Sequence, residues 1–258
     1  FNNSDWIQSG RFYGGFWQRI NGDLRKKILI NDEQTVEVDF SALHPVLAYA
    51  KAGVDYWKEH EAGPYDISVR GVRDPGISRD IVKKLLLLAL NASDKTVLFK
   101  AFRSEFDYSL LDDLPLKFTD KFLDEILTDI KETHHVIADQ IATGAGLKLM
   151  NLDSRIVEFV IKHFLETDTP VLSVHDSFIV QWSQRDKLVA AMEDAFVHVT
   201  GQSQIKHKQN APTYQDAVAW RHLERDFYLD RAFDLQATKR TRGYLNRLNR
   251  HNKFFDLK

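Results

Sequence analysis

Two apolar runs on either side of His175-Asp176-Ser177 constrain the fold of this chain more than any other feature of its sequence. Pro170-Val171-Leu172-Ser173-Val174 precedes the tripeptide, and Phe178-Ile179-Val180-Gln181-Trp182 follows it. Both runs are rich in residues that favour β-strands, and the connection between them is short and polar. The pattern predicts a β-hairpin with Asp176 at its tip.

A second acid closes another predicted strand. Thr35-Val36-Glu37-Val38-Asp39-Phe40 alternates apolar and polar residues, and the chain then turns at Ser41–Pro45 toward a helix. Helical periodicity follows in four segments, 79–91, 122–141, 149–165 and 186–199. Helices combined with a short, mostly antiparallel sheet predict an α/β (α+β) fold.

Composition excludes several kinds of protein. The chain has 258 residues, of which 43% are hydrophobic and 28% charged, so it can bury a substantial core. It has no cysteine, which excludes disulfides, thiolate metal sites and a cysteine nucleophile. The longest apolar run, residues 85–90, is far shorter than the ~20 residues that span a bilayer. These features predict a soluble cytoplasmic protein with no membrane contact.

Charge is distributed unevenly along the chain. The overall net charge is −2, but residues 239–258 contain seven Lys and Arg against one Asp, a local net of +6. Tyr244, Phe254 and Phe255 lie among these cations, a mixture typical of segments that grip phosphates and stack on bases. The alternative is an amphipathic helix, with Leu245 and Leu248 as its apolar face.

Asp39 and Asp176 are 137 residues apart, and each follows an apolar strand-like run. A buried lone carboxylate is costly, and a shared divalent cation removes that cost. Two carboxylates holding a pair of Mg²⁺ ions, or Mn²⁺ in their place, clamp the attacking and leaving oxygens in phosphoryl transfer. The alternative for either acid is a helix cap or a local ion pair.

Arg79 and Lys83 supply a possible counterpart. They are four residues apart after Asp74-Pro75-Gly76, so they project from one face of a predicted helix. Two cations on one face can hold a triphosphate, with Lys83 able to donate a proton to the departing pyrophosphate. The alternative is an ordinary basic helix face, extended by Lys84.

These motifs, in this order, resemble the palm and fingers of family A DNA polymerases and of single-subunit phage-type RNA polymerases, over about residues 9–207. The matching segments are Ser9-Gly10-Arg11 before the first strand, Val38-Asp39-Phe40-Ser41-Ala42-Leu43-His44 as motif A, Gly63-Pro64-Tyr65-Asp66-Ile67 leading into the fingers, Arg79 with Lys83 as motif B, and His175-Asp176-Ser177 as motif C.

The resemblance implies a role for each matched residue. Asp39, Asp176 and the Phe40 carbonyl would bind two metal ions, with Asp39, Asp176 and Lys83 catalytic. Arg11 and His175 would contact the template or the primer end. The incoming nucleotide would be bound by residues of motifs A and B, two of which also have a role named above. These residues are Arg79, Lys83, Phe40, Ser41, His44, Leu87 and Asn91.

Some positions differ from the DNA polymerase pattern. His44 replaces the Glu that screens against a ribose 2′-OH, and Ser177 is the residue typical of the RNA enzymes. In motif B, Leu87 stands where the family has an aromatic residue or Met, and Asn91-Ala92 replaces its Tyr-Gly. Only 38 residues precede Asp39, where family members place a thumb. Duplex binding is therefore assigned to an N-terminal region outside this sequence, to a protein partner or to the basic tail.

The resemblance divides the chain into a palm (1–50 and 141–210), fingers (51–140) and a basic C-terminal extension (211–258). The predicted function is template-directed nucleotide transfer, by a DNA polymerase with a priming or gap-filling role in DNA replication or by an RNA polymerase. A catalytically degenerate nucleic-acid-binding subunit and a metal-dependent phosphodiesterase are the rival interpretations.

Overall fold

The structure, a computed structural model, describes residues 10–111 and 116–210. The predicted extension, with its basic tail at 239–258, lies outside the described residues, and so does Ser9. None of the helices in the described parts combines the length and apolar character needed to cross a membrane.

The described residues form a mixed fold of helices around a small antiparallel sheet. The helices are α1 (Gly22–Arg25), α2 (Leu43–Lys51), α3 (Tyr56–Glu59), α4 (Pro75–Asn91), α5 (Lys95–Glu105), α6 (Asp120–Thr133), α7 (Gly146–Glu166) and α8 (Arg185–Thr200). The strands are β1 (Leu29–Ile30), β2 (Glu33–Phe40), β3 (Leu172–Val174), β4 (Ser177–Gln181) and β5 (His207–Asn210). The predicted α/β (α+β) class with an antiparallel sheet is confirmed.

Strand β2 is the centre of the sheet. It pairs with β4 along one edge, while β1 and β5 pair with successive parts of its other edge. β3 pairs with β4, so the predicted hairpin is confirmed, with Ser177 inside β4 rather than in the turn. All four pairings are antiparallel.

The two faces of β2 differ in polarity. Val36, Val38 and Phe40 are buried on one face, and Phe178 and Val180 of β4 lie beside them. Helix α8 packs on these two strands, and α7 packs on α8 and α2. Glu37 and Asp39 alternate with the buried residues and are only partly buried. The hydrophobic core on one side thus leaves the acids on the other.

Two predicted helix boundaries are wrong. The turn expected at Asp74-Pro75-Gly76 is the first turn of α4, because Asp74 caps the helix by accepting hydrogen bonds from Gly76 N at 2.6 Å and Ile77 N at 3.2 Å. The helix expected over 122–141 ends at Thr133, and a 3₁₀ segment follows at His135–Gln140.

The side chain of His134 explains why α6 ends there. His134 is 2% exposed, and its two ring nitrogens lie 2.9 Å from the Tyr49 hydroxyl and 2.8 Å from the Pro64 carbonyl oxygen. Nε2 donates to the carbonyl, so Nδ1 accepts from the Tyr49 hydroxyl. Burial lowers the pKa of His134, which keeps the ring neutral in this arrangement. The same contact fixes the loop that carries Tyr65.

Candidate active site

The sheet register brings Asp39 and Asp176 together. Asp39 lies opposite Ser177 in the β2–β4 pairing, so Asp176, the residue before Ser177, is its close neighbour. Positive φ angles mark the backbone on both sides, at Ala42 (56°) after β2 and at His175 (56°) in the hairpin turn. Left-handed backbone is costly for residues with a Cβ, so both turns depend on the surrounding structure.

Asp39 is held in an environment that disfavours its negative charge. Burial, followed by the charge of Asp176, raises the pKa of Asp39 from 3.8 to about 7, and Glu37 adds to the effect. Lys208 and Lys83 oppose the shift. The excess of negative potential at Asp39 suits a cation.

Lys208 was not identified from the sequence. It lies directly opposite Asp39 in the β2–β5 pairing, so Ser177, Asp39 and Lys208 form one row across three strands. Nothing in the polar sequence of β5 predicts this pairing, because the register is set by contacts between residues as far apart as Asp39 and Lys208, 169 positions away in the chain.

Asp176 has a second acidic neighbour. Burial raises its pKa, and the next contribution in the same direction is the charge of Asp153. Its own backbone N–H, His44 and Arg11 act in the opposite direction.

Asp153 was also missed. Its side chain is 1% exposed and lies on α7, where Oδ2 accepts a hydrogen bond from Arg11 Nε at 3.1 Å. His44 Nε2 lies 3.6 Å from the same oxygen and 3.2 Å from an Arg11 guanidinium nitrogen. Oδ1 of Asp153 has no hydrogen-bond partner. The sequence does contain a signal, because Asp153 occupies an apolar position of the helical pattern formed by Leu149, Ile156 and Val160.

Arg11 and His44, two predicted site residues, are therefore joined through Asp153 close to Asp176. His175, predicted to contact nucleic acid, is exposed at the hairpin tip, with the Tyr13 ring 6.2 Å away in an edge-on contact. These predicted residues lie around one end of the sheet.

The two predicted cations on α4 have different neighbours. Lys83 is exposed, and its charge acts on Asp39. Arg79 Nε lies 3.3 Å from Asp66 Oδ1, and its guanidinium lies 5.5 Å from the centre of the Tyr65 ring. The Tyr65 side chain is buried, and burial together with the charges of Asp176 and Asp39 raises the pKa of its hydroxyl. Tyr65 thus contacts Arg79 and is within reach of the electrostatic influence of both carboxylates.

The remaining predicted residues are less closely tied to the acids. Phe40 is buried with its ring 5.6 Å from that of His207, and the Ser41 backbone N–H donates to Lys206 O at 2.7 Å. Leu87 and Asn91 lie in the last two turns of α4, where the Asn91 amide donates to the Leu87 carbonyl at 2.7 Å. No contact of Leu87 or Asn91 with the carboxylates is observed among the described residues, so their nucleotide role stays a prediction.

A hydrogen-bond network supports the hairpin under the acids. Ser177 Oγ donates to Glu37 Oε1 at 2.8 Å, and Arg25 contacts both carboxylate oxygens of Glu37 at 3.2 and 3.3 Å. The Arg25 guanidinium offsets the negative charge of Glu37, the third acid near Asp39. Among the described residues, Asp39 and Asp176 therefore remain the pair that has no bonded cation.

The carboxylate pair could supply some of the ligands of a divalent metal ion, but the protein does not supply a full set in the described residues. Within residues 10–111 and 116–210, no group of three or more His, Asp or Glu side chains could hold a metal ion. Two carboxylates whose pKa values are raised by burial and by neighbouring acids are oxygen ligands of the kind that Mg²⁺ accepts, and Mg²⁺ commonly completes its shell with water and substrate phosphates.

Comparison with known proteins adds a distant structural similarity. No family model and no curated protein sequence matches this chain. A solved structure that resembles it is the POL domain of Pol1 from M. smegmatis in complex with DNA primer-template and dNTP. Sequence identity is 10%, the TM-score is 0.41, and the match covers 74% of this chain and 41% of that one. The matched part of this chain corresponds to less than half the length of the polymerase chain.

Proposed function

We propose that this chain is the palm and fingers of a template-directed nucleotidyltransferase similar to family A DNA polymerases, working by two-metal phosphoryl transfer. The observation that carries the proposal is that the sheet register brings Asp39 and Asp176 together, with raised pKa values, where the charge of Lys83 on α4 also acts on Asp39. Arg79 lies one turn before Lys83 on α4, and a set of two acids and two cations matches a substrate with both a metal-bound and an anionic part.

Each side chain has a defined task in this proposal. Asp39 and Asp176, with the Phe40 carbonyl, would hold two Mg²⁺ ions, which when bound activate a 3′-OH and stabilise charge on the triphosphate. Arg79 would exchange its partner Asp66 for phosphate oxygens, because a guanidinium binds phosphate in the same bidentate manner as a carboxylate. Lys83 would neutralise the leaving pyrophosphate and donate a proton to it.

Arg11 would bind the nucleic acid strand near the reacting end, held in place by Asp153. His44, whose Nε2 lies 3.2 Å from the Arg11 guanidinium and 3.6 Å from the Asp153 carboxylate, would lie beside the nucleotide sugar. Since His44 stands where the DNA enzymes have a Glu, both dNTPs and rNTPs are candidate substrates. RNA polymerase is accordingly the second candidate function.

The first test is templated nucleotide incorporation with Mg²⁺, offering dNTPs and rNTPs separately, with and without a primer. Asp39→Asn and Asp176→Asn are each expected to reduce incorporation by roughly 10³-fold or more, because metal-assisted charge stabilisation is lost. Asp186→Asn is the matched control, since Asp186 is 89% exposed. Circular dichroism of each variant verifies folding.

Activity near wild type in either site variant contradicts the two-metal assignment. No incorporation by the folded wild type under any condition favours a degenerate nucleic-acid-binding subunit. A second readout does not need activity. At a pH above 7, Mg²⁺ should raise the melting temperature of the wild type, and Asp39→Asn should remove that rise.

A further inference from the structure

Three aromatic rings are exposed in one short segment beside the candidate site. In the aromatic strap, defined here as residues 11–19, Phe12 is 42% exposed, Tyr13 74% and Phe16 64%. Single exposed apolar residues are common on protein surfaces, but three rings within five residues form a patch of the kind that binds a partner.

The aromatic strap is fixed to the β3–β4 hairpin by side-chain hydrogen bonds. Gln18 Nε2 donates to Phe12 O at 3.1 Å and to Ser173 O at 2.9 Å, while Gln18 Oε1 accepts from Gly14 N at 3.1 Å. Trp17 Nε1 donates to the same Ser173 carbonyl at 2.9 Å. Ser173 belongs to β3, which leads directly to Asp176, so the rings are held at a constant position relative to the carboxylates.

Two glycines shape the aromatic strap. Gly14 has φ 117°, which favours glycine. A Cβ on Gly15 would lie 2.7 Å from Trp17 Cδ2 and closer still to other ring atoms, so only glycine lets Trp17 fold back to reach Ser173. The exposed rings are thus presented by a specific backbone rather than by a loose terminus.

Charge identifies the class of partner. Residues 10–20 contain no acid, and of their two arginines Arg11 pairs with Asp153 while Arg19 is exposed. His175, at the tip of the hairpin, meets the edge of the Tyr13 ring. Exposed aromatic faces among guanidinium groups complement a molecule with flat apolar faces and negative charge, and the bases and phosphates of a nucleic acid strand are such a molecule.

We infer that the aromatic strap is a stacking surface for unpaired bases of the nucleic acid strand that enters the site. The inference rests on the proposed function, because it assigns part of the substrate of that site. Unpaired bases are specified since a duplex hides its base faces in the helical stack, where Tyr13 and Phe16 cannot reach them.

The test measures binding alone, in EDTA and without nucleotides. Fluorescence anisotropy compares a labelled single strand of about 12 nucleotides with the corresponding duplex, because a stacking site spans several bases. Replacing Tyr13 and Phe16 together by Ala is expected to weaken single-strand binding roughly 10- to 100-fold and duplex binding much less. Both rings are on the surface, so the variant should fold.

Two matched variants separate stacking from other causes. Tyr13→Phe with Phe16→Tyr retains both rings and should bind like the wild type. Leu165→Ala removes an apolar side chain that is 76% exposed at the end of α7, and it should have no effect.

Unchanged single-strand binding in the double Ala variant overturns the inference, and so does an equal loss for single strand and duplex. Sedimentation that shows a wild-type dimer and a monomeric double Ala variant also overturns it, by identifying a second copy of the chain as the partner. Because this assay needs no catalysis, failure of nucleotide incorporation leaves its result interpretable: a ring-dependent preference for single strands supports the stacking surface even if the proposed reaction is wrong.

Discussion

One buried acid organises the Arg11 side of the candidate site. Asp153 is nearly inaccessible, pairs with Arg11 through a single carboxylate oxygen and also attracts His44. It simultaneously raises the pKa of Asp176. A charge in this position is stable only while Arg11 stays in place, so Asp153 and Arg11 position each other.

Asp153→Asn tests this role as a positioning residue. The amide keeps the shape but loses the charge, so Arg11 should be held less firmly and the KM for primer-template should rise roughly tenfold. The pKa of Asp176 should fall as a like charge is removed, so incorporation should persist to lower pH than in the wild type. Steady-state kinetics across pH measure both effects.

Glu158→Gln is the matched control, because Glu158 is on the same helix but pairs with Lys162 at the surface. If Asp153→Asn leaves the loss of incorporation at low pH unchanged and lowers only the folding stability, Asp153 is merely structural.

The pKa of Asp39 makes a prediction about folding stability. In the unfolded chain its pKa is near 3.8, and in the folded protein it is about 7. Between these values Asp39 binds more protons in the folded state than in the unfolded state, so its contribution to the free energy of unfolding falls as pH rises from about 4 to 7. The charged carboxylate is the destabilising form.

Asp39→Asn removes that charge. In EDTA the variant should unfold at about the wild-type free energy near pH 4 and exceed it by roughly 2–4 kcal/mol at pH 8. Urea titrations at both pH values measure the difference, with Asp186→Asn expected to show none. A gain of equal size at both pH values would mean that Asp39 is not buried beside a like charge.

At the scale of elements, local sequence determines where most helices and strands form. Asp74 and Pro75 start α4, and the alternation of Val36, Val38 and Phe40 marks β2. The error at α6 has a tertiary cause, because His134 leaves the helix to bond Tyr49 and Pro64, which are far away in sequence.

The contact of α7 with α4 depends on a glycine. Gly146 begins α7, and a Cβ there would lie 3.1 Å from the Asn91 Cα at the end of α4 and closer still to the Asn91 side chain. Because the backbone itself is in the way, moving the Asn91 side chain gives only partial relief.

Gly146→Ala should therefore lower the free energy of unfolding by roughly 1–2 kcal/mol, although alanine is the better helix former. Gly22→Ala is the control, since Gly22 also begins a helix, and the nearest atom to its added Cβ is 3.9 Å away on Arg25. Urea unfolding measures both variants. Equal effects at the two glycines would show that α4 and α7 separate easily.

At the scale of the whole molecule, the candidate site is assembled from distant parts of the chain. The aromatic strap, β2, α4, α7, the β3–β4 hairpin and β5 each contribute side chains, and the contributing residues run from Arg11 to Lys208. No single segment contains the carboxylate pair, its flanking cations and the aromatic surface.

The sequence by itself determined the mixed α/β class, the hairpin, and Asp39 and Asp176 as acids at strand ends, since these follow from the local periodicity of apolar residues and from turn chemistry. It also predicted that Arg79 and Lys83 share a helix face. Only the tertiary structure decided that Asp153 pairs with Arg11, that Lys208 flanks Asp39 and that Tyr65 lies against Arg79. These neighbours depend on strand register and helix packing, which are set by the burial of side chains far apart in the sequence.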